Sequence, residues 1–421
     1  MRMRIWFWVL AWLCTAGWAG AADLGEALRT GTIWREKEGR RLLANERGAW
    51  VEKDVRFRIP QPGFLLWGLP AGETLVDWSG GAVTQVRVSF YNRGDNGKMA
   101  EEKFAKLVER VVATLDERTG VPGAREKVPG RREVVRSDRR SWSTERADFL
   151  LECSESKEEG PEFARLTVVP AGGLASLLPS RENVARKARQ EYREHVVQTA
   201  DGTVEIKEVP MEDQGQKGYC AAAAVARLLR YYGNEAVDQH QVAQLVRADA
   251  QAGTDYTAMM DAIAAVLPGK FRLKVSYLEQ LRAADLIEDY NKKARRHKAE
   301  KIELTDPRLR QNFWAMLKPE VLLDSRADHS QTRKWLKTVQ PWIDRGVPVM
   351  WGVTLGLYPA VDGGSMQRTA QPSGHLRLII GYNEKAQEVV YTDSWGAGHE
   401  RKKMPLREAV AMTTSLGVIA P

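Results

Sequence analysis

Cysteine is scarce in this chain, with three among 421 residues: Cys14, Cys153 and Cys220. So few exclude a disulfide scaffold, since a single bridge cannot hold together a chain of this length. Histidine is hardly commoner, at six. No His/Cys cluster has the spacing of metal ligands and no glycine loop is built to cradle phosphates, so neither a metal nor an organic cofactor is indicated. Past the N-terminus no apolar run reaches the about 20 residues that a membrane span needs. Internal repeats and low-complexity tracts are missing too. The net charge of +8 is a mild excess. It fits contact with anionic cell-surface polymers and gives no reason to expect nucleic acid.

At the start, Met1-Arg2-Met3-Arg4 is basic, Ile5 to Ala16 is apolar, and Ala19-Gly20-Ala21-Ala22 offers small residues before the polar Asp23. This is the layout of a cleavable export signal over 1–22, with a periplasmic or secreted destination. An uncleaved membrane anchor is the competing reading, because residues 5–22 carry no charge. Leu13 before Cys14 argues against a lipoprotein site. Without Arg2 and Arg4 the formal charge becomes +6.

A chain of this length implies two or three domains. Residues 23–175 read as a smaller α+β accessory domain. Val86, Val88 and Phe90 alternate with polar residues as in a half-buried strand. Phe104, Leu107, Val108, Val111 and Leu115 form one apolar stripe of a helix over about 99–117. Strand-like runs follow at 149–151 and 163–169, and no catalytic grouping stands out. Residues 176–204 are a charged, helical linker. The remainder, 205–421, is the second α+β domain, with a helical insertion over about 277–340.

Cys220 opens the segment Cys220-Ala221-Ala222-Ala223-Ala224-Val225-Ala226-Arg227-Leu228-Leu229-Arg230-Tyr231-Tyr232-Gly233. Alanine, leucine and arginine are strong helix formers, and Gly233 can end the helix in the left-handed region. A cysteine on a first helical turn meets unpaired N–H groups and the positive end of the helix dipole, which favour the reactive thiolate. A nucleophile of this kind needs a base, an orienting group for the base, and donors for an oxyanion. His375 is the histidine that differs from the rest. It opens the apolar strand Leu376 to Ile380, after the glycine-rich loop at Asp362-Gly363-Gly364. A hairpin through Asn383-Glu384-Lys385-Ala386 and the strand 388–392 would return Asp393 to its side.

Gln214-Gly215-Gln216-Lys217-Gly218-Tyr219-Cys220 before a helix, Gly374-His375 on a strand, and Asp393-Ser394-Trp395-Gly396 together resemble the papain-like cysteine peptidases. The resemblance implies a fold with an N-terminal nucleophile helix and an antiparallel sheet. It implies Cys220 as nucleophile, His375 as base, Asp393 as its orienter and Gln214 in the oxyanion hole, with Trp395 shielding the His–Asp contact. The 155 positions from Cys220 to His375 lie near the papain-type separation of roughly 130 to 150. Asp393 stands where plant and lysosomal members carry asparagine, and Ala221 where they carry an aromatic residue. Those departures, and Tyr231-Tyr232-Gly233, are similar to the bacteriocin-processing, double-glycine-leader branch, as are Gly253-Thr254-Asp255 with its helix and Gly346-Val347-Pro348-Val349.

The expectation is an exported cysteine peptidase acting on a peptide or protein substrate, whose specificity lies in loops such as 356–374. Two alternatives stand beside it: a catalytically silent papain-like binding protein, and a transglutaminase-type acyl transferase, against which the long Cys-to-His spacing counts.

Overall fold

The computed structural model describes residues 23–421 apart from 45–47, 61–64, 127–134, 136, 158, 179–190, 216–217, 235–236, 249–253, 307–312 and 359–372. The expected export signal, Lys217, the first half of the charged linker and the loop at Asp362-Gly363-Gly364 lie outside these residues. The chain divides into two compact units, Met1–Pro129 with Arg136–Pro179, and Ser180–Pro421 with Gly130–Val135.

The first unit is built on an eight-stranded antiparallel sheet. Its order is Ala49–Glu52, Arg56–Ile59, Thr74–Ser79, Ala82–Asn92, Gly160–Pro170, Ala147–Ser156, Asp138–Ser143 and Ala124–Arg125. The helix Glu101–Thr119 lays Phe104, Val111 and Leu115 into the core, the stripe expected from its 3.6-residue period. Gly120, at φ +73°, ends it with its N–H on the Asp116 carbonyl. The Asn92 side chain accepts from the Gly94 N–H and opens a short helical turn after the strand, Arg93–Asn96.

The second unit also has an antiparallel sheet, ordered Val196–Gln198, Val204–Ile206, Ser373–Asn383, Val349–Leu355, Thr413–Ala420 and Lys274–Gln280. Glu388–Thr392 pairs with Ser373–Asn383 and carries Lys402–Pro405 on its other edge. Two expectations need correction. The stretch read as a helical linker over 176–204 ends in strand, because Val196 and Val204 can join the sheet edge while Asp201, the one charged residue between them, stays in solvent. The helical insertion read from 277 begins later: Tyr277–Gln280 complete an edge strand paired with Thr413–Ala420, and the first helix of that region is Ala283–Ala294.

The helix Cys220–Tyr231 is buried nearly all round. Ala222, Ala223, Ala224, Ala226, Leu228 and Leu229 have no exposed surface. A helix wrapped on every side by protein needs small side chains where backbones come close, which the alanine run supplies. At its far end the Tyr231 hydroxyl donates to the Gly346 carbonyl (2.9 Å) and the Tyr232 hydroxyl to that of Ile419 (2.7 Å). Gly233 follows at φ +84°. Tyr192 packs on both phenol rings, with centroids 5.5 and 5.2 Å away.

Gly346 is the tight spot under this cluster. Its φ is +74°, and a Cβ placed there would lie 1.8 Å from the Tyr192 carbonyl oxygen. Neither the conformation nor the backbone contact can yield to a methyl group. Gly346→Ala should therefore destabilise the second unit by at least about 2 kcal/mol, seen as a lower urea midpoint at unchanged slope.

Candidate active site

Three elements meet where the sequence placed its chemistry. The helix Cys220–Tyr231 supplies Cys220 at its first position, the strand Ser373–Asn383 supplies His375, and the residue just past Glu388–Thr392 is Asp393. The hairpin register sets Leu378 opposite Thr392, which brings Asp393 back alongside the start of the histidine strand. His375 Nε2 lies 2.5 Å from Asp393 Oδ1. The Cys220 thiol shares a hydrogen bond with the same ring. With Nε2 taken by the carboxylate, Nδ1 is the nitrogen left to meet the sulfur.

Burial is deep on one side of this chain of contacts and shallow on the other. Asp393 is fully buried and His375 is 7% exposed, whereas Cys220 is partly exposed. Trp395 stacks on His375, with centroids 4.5 Å apart and planes 19° from parallel, and covers the imidazole. His399 stands edge-on to that indole at 5.4 Å. Burial and the charge of Lys402 keep its pKa below the usual imidazole range.

The local electrostatics favour an ion pair. Burial works to raise the Cys220 pKa, but the hydrogen bond and charge of His375, with backbone contacts at Leu376 and Ala221, bring it below the ordinary thiol value. Burial disfavours protonated His375, yet the Asp393 charge and hydrogen bond raise its pKa to about 9. For Asp393, burial is overcome first by the charge of Arg377 and then by His375, and the carboxyl falls to about 2. Cys153, in the first unit, has the opposite surroundings. Burial, then Asp138, Glu152 and Glu155, push its thiol up to about 12. Both cysteines are free.

Gln214 is buried, and its backbone N–H donates to the Ser394 carbonyl (2.8 Å), so the loop before Cys220 lies against the residue after Asp393. That loop is pinned by the Gly215 N–H on Asp213 Oδ1 (2.8 Å) and by Gln239 Nε2 on the Asp213 carbonyl (2.9 Å). The Cys220 N–H, on the first turn of its helix, has no intrahelical acceptor. Among the described residues no group of three His, Cys, Asp or Glu side chains could hold a metal ion.

Two arginines belong to the site and were not singled out in the sequence. Arg377, 5% exposed, places Nε 2.9 Å from Asp393 Oδ2. Arg227, 1% exposed on the helix of Cys220, donates to the carbonyls of Pro210 (2.7 Å) and Asp393 (2.8 Å) and to the Thr392 hydroxyl (2.6 Å). A signal for Arg377 was present: two positions past His375 on a strand, it faces the same way.

Residues 308–413 match the Peptidase_C39 like family. The match spans about a quarter of the chain, holds His375 and Asp393, and ends short of Gln214 and Cys220 on the N-terminal side. It takes in the helices Pro319–Arg326 and His329–Ile343, which had been assigned to an insertion. No curated protein matches the chain. The family match supports, at a coarse level, a relation to the papain-like cysteine peptidases and a cysteine-peptidase type of function.

The two thiols should part cleanly under iodoacetamide. At pH 6 to 7 the folded chain should be alkylated at Cys220 alone by peptide mass mapping, with Cys153 reacting only after denaturation. Comparable labelling of Cys153 in the folded chain would show that the two environments do not differ as described.

Proposed function

We propose that the second unit is a cysteine peptidase domain with Cys220, His375 and Asp393 as its triad. The single observation that carries this is the continuous chain from a helix-start thiol through the His375 ring to a buried, ionised carboxylate. The Cys220 thiolate attacks the carbonyl carbon of a peptide bond. The oxyanion takes hydrogen bonds from the Cys220 N–H and the Gln214 side chain. As the C–N bond breaks, imidazolium His375 gives its proton to the leaving amine, and a thioester remains. Water, losing a proton to His375, hydrolyses the thioester and restores the thiolate–imidazolium pair. Asp393 holds the ring and its charge throughout.

The aspartate at 393 and the Tyr231-Tyr232-Gly233 helix end favour the bacteriocin-processing-like branch, with a peptide or protein as substrate. The composition of residues 1–22 favours an exported enzyme. Expression with a C-terminal tag tests the address: the extracytoplasmic protein should begin at or just before Asp23, and a wholly cytoplasmic, uncleaved product would refute it.

For the chemistry, Cys220→Ala and His375→Ala should each lower kcat/KM on unfolded protein or mixed peptide substrates by at least about 1,000-fold, with folding intact by near-UV circular dichroism. Cleavage needs imidazolium to protonate the leaving amine. The raised His375 pKa thus keeps activity present below pH 9 and removes it as pH rises through about 9. Cleavage undiminished in Cys220→Ala would overturn the assignment.

A further inference from the structure

Asp393 is touched on each carboxylate oxygen by a different cation. Oδ1 meets His375 Nε2 at 2.5 Å, and Oδ2 receives Arg377 Nε at 2.9 Å. The geometry points to Arg377 as a positioning residue: it locks the Asp393 carboxylate with one oxygen always presented to His375, and through that aspartate sustains the Cys220 thiolate. This rests on the triad reading above.

The chemical need comes from the reaction cycle. His375 is cationic before attack and neutral after it has protonated the leaving amine, so for part of each turnover it gives Asp393 no countercharge. A carboxylate with no exposed surface cannot stay ionised without a partner. Arginine is never deprotonated in proteins, so Arg377 remains a cation at every stage. Rotating the carboxylate would break both contacts together.

Arg377 is itself held in place. Its guanidinium carbon lies 4.4 Å from the Tyr391 ring centroid and 5.9 Å from those of Trp351 and Trp395. The Trp395 indole that stacks on His375 thus also flanks Arg377. Tyr391 and Trp351 come from two of the strands that pair with the histidine strand.

Other charged or titratable groups face Asp393 from each packed element. Arg227, on the Cys220 helix, holds the Asp393 main-chain carbonyl, with Glu212 among its charged neighbours. His399, in the turn after Asp393, lies within electrostatic range, with Lys402 and Glu400 beside it. Cys220 lies beyond His375. Of these, Arg377 is the group that engages the carboxylate oxygen His375 does not use.

The test is the pH dependence of Cys220 alkylation by iodoacetamide, measured on the full chain and on Arg377→Met, Arg377→Lys, Asp393→Asn and the Arg377→Met/Asp393→Asn double variant. Losing the permanent cation raises the pH at which the thiolate forms. Arg377→Met should move the acid limb up by about one pH unit, a roughly tenfold loss of alkylation rate on that limb. Arg377→Lys keeps the charge without the planar fork and should shift it in the same direction by less. Because Arg377 acts through Asp393, the double variant should react as Asp393→Asn does alone. An unmoved limb in Arg377→Met, or additive losses in the double variant, would overturn the inference. If Arg377→Met does not fold, the limb of Arg377→Lys decides, and no shift there refutes it. Alkylation requires no peptide cleavage. A chain that cleaves nothing yet shows the shifts would sink the peptidase reading alone, and an active chain with an unmoved limb would sink this inference alone.

Discussion

A carboxylate with no exposed surface is the constraint around which the second unit is arranged. Taking the Asp393 charge out of water costs several kcal/mol, recovered only with close cationic partners and full hydrogen bonding. His375 and Arg377 from one strand meet its side chain, and Arg227 from the helix of Cys220 meets its main chain. The three elements that carry the chemistry are therefore tied at one residue. Removing a partner would not merely weaken a contact; it would strand a charge in the core, which is why sheet register, helix placement and site geometry stand or fall together.

The two arginines at this junction do different things. Arg227 donates to the neutral oxygens of Pro210, Asp393 and Thr392, and burial draws its pKa down to about 10. It acts as a cross-link between main-chain segments at Pro210 and Asp393. Arg377 instead meets a charge with a charge, inside a box of aromatic rings. Each suits arginine rather than lysine for its own geometric reason: the fan of donors on Arg227 reaches three fixed acceptors at once, and the planar guanidinium of Arg377 lies against aromatic faces.

Much of the site was legible because its signals are local. An alanine-rich segment opening on cysteine and closing on Tyr232-Gly233 describes its own helix, and the structure runs it over Cys220–Tyr231. Asn383 to Asp393 describes its own hairpin. Arg227 and Arg377 were passed over because charge in an apolar segment reads as a solvated position unless its acceptor is known, and the acceptors lie 166 and 16 positions away. Sheet order was illegible for the same reason. Val196–Gln198 and Val204 look like parts of a charged connector until the Ser373–Asn383 strand is present to pair with Val204–Ile206. Conversely, the stripe of Glu101–Thr119 in the first unit needed nothing beyond its own period.

The helix of Cys220 is fixed over its second half, by the Tyr231 and Tyr232 hydroxyls at its far end and by Arg227 one turn inside them. That makes it a ruler. Each residue inserted or removed between Cys220 and those anchors would slide the sulfur by about 1.5 Å along the axis and swing it by about 100° around it. The pairing of thiol and imidazole thus depends on a count of residues as strictly as on their identity. Length drift along this chain belongs in its loops, and the stretch from Cys220 to Tyr232 must keep its number.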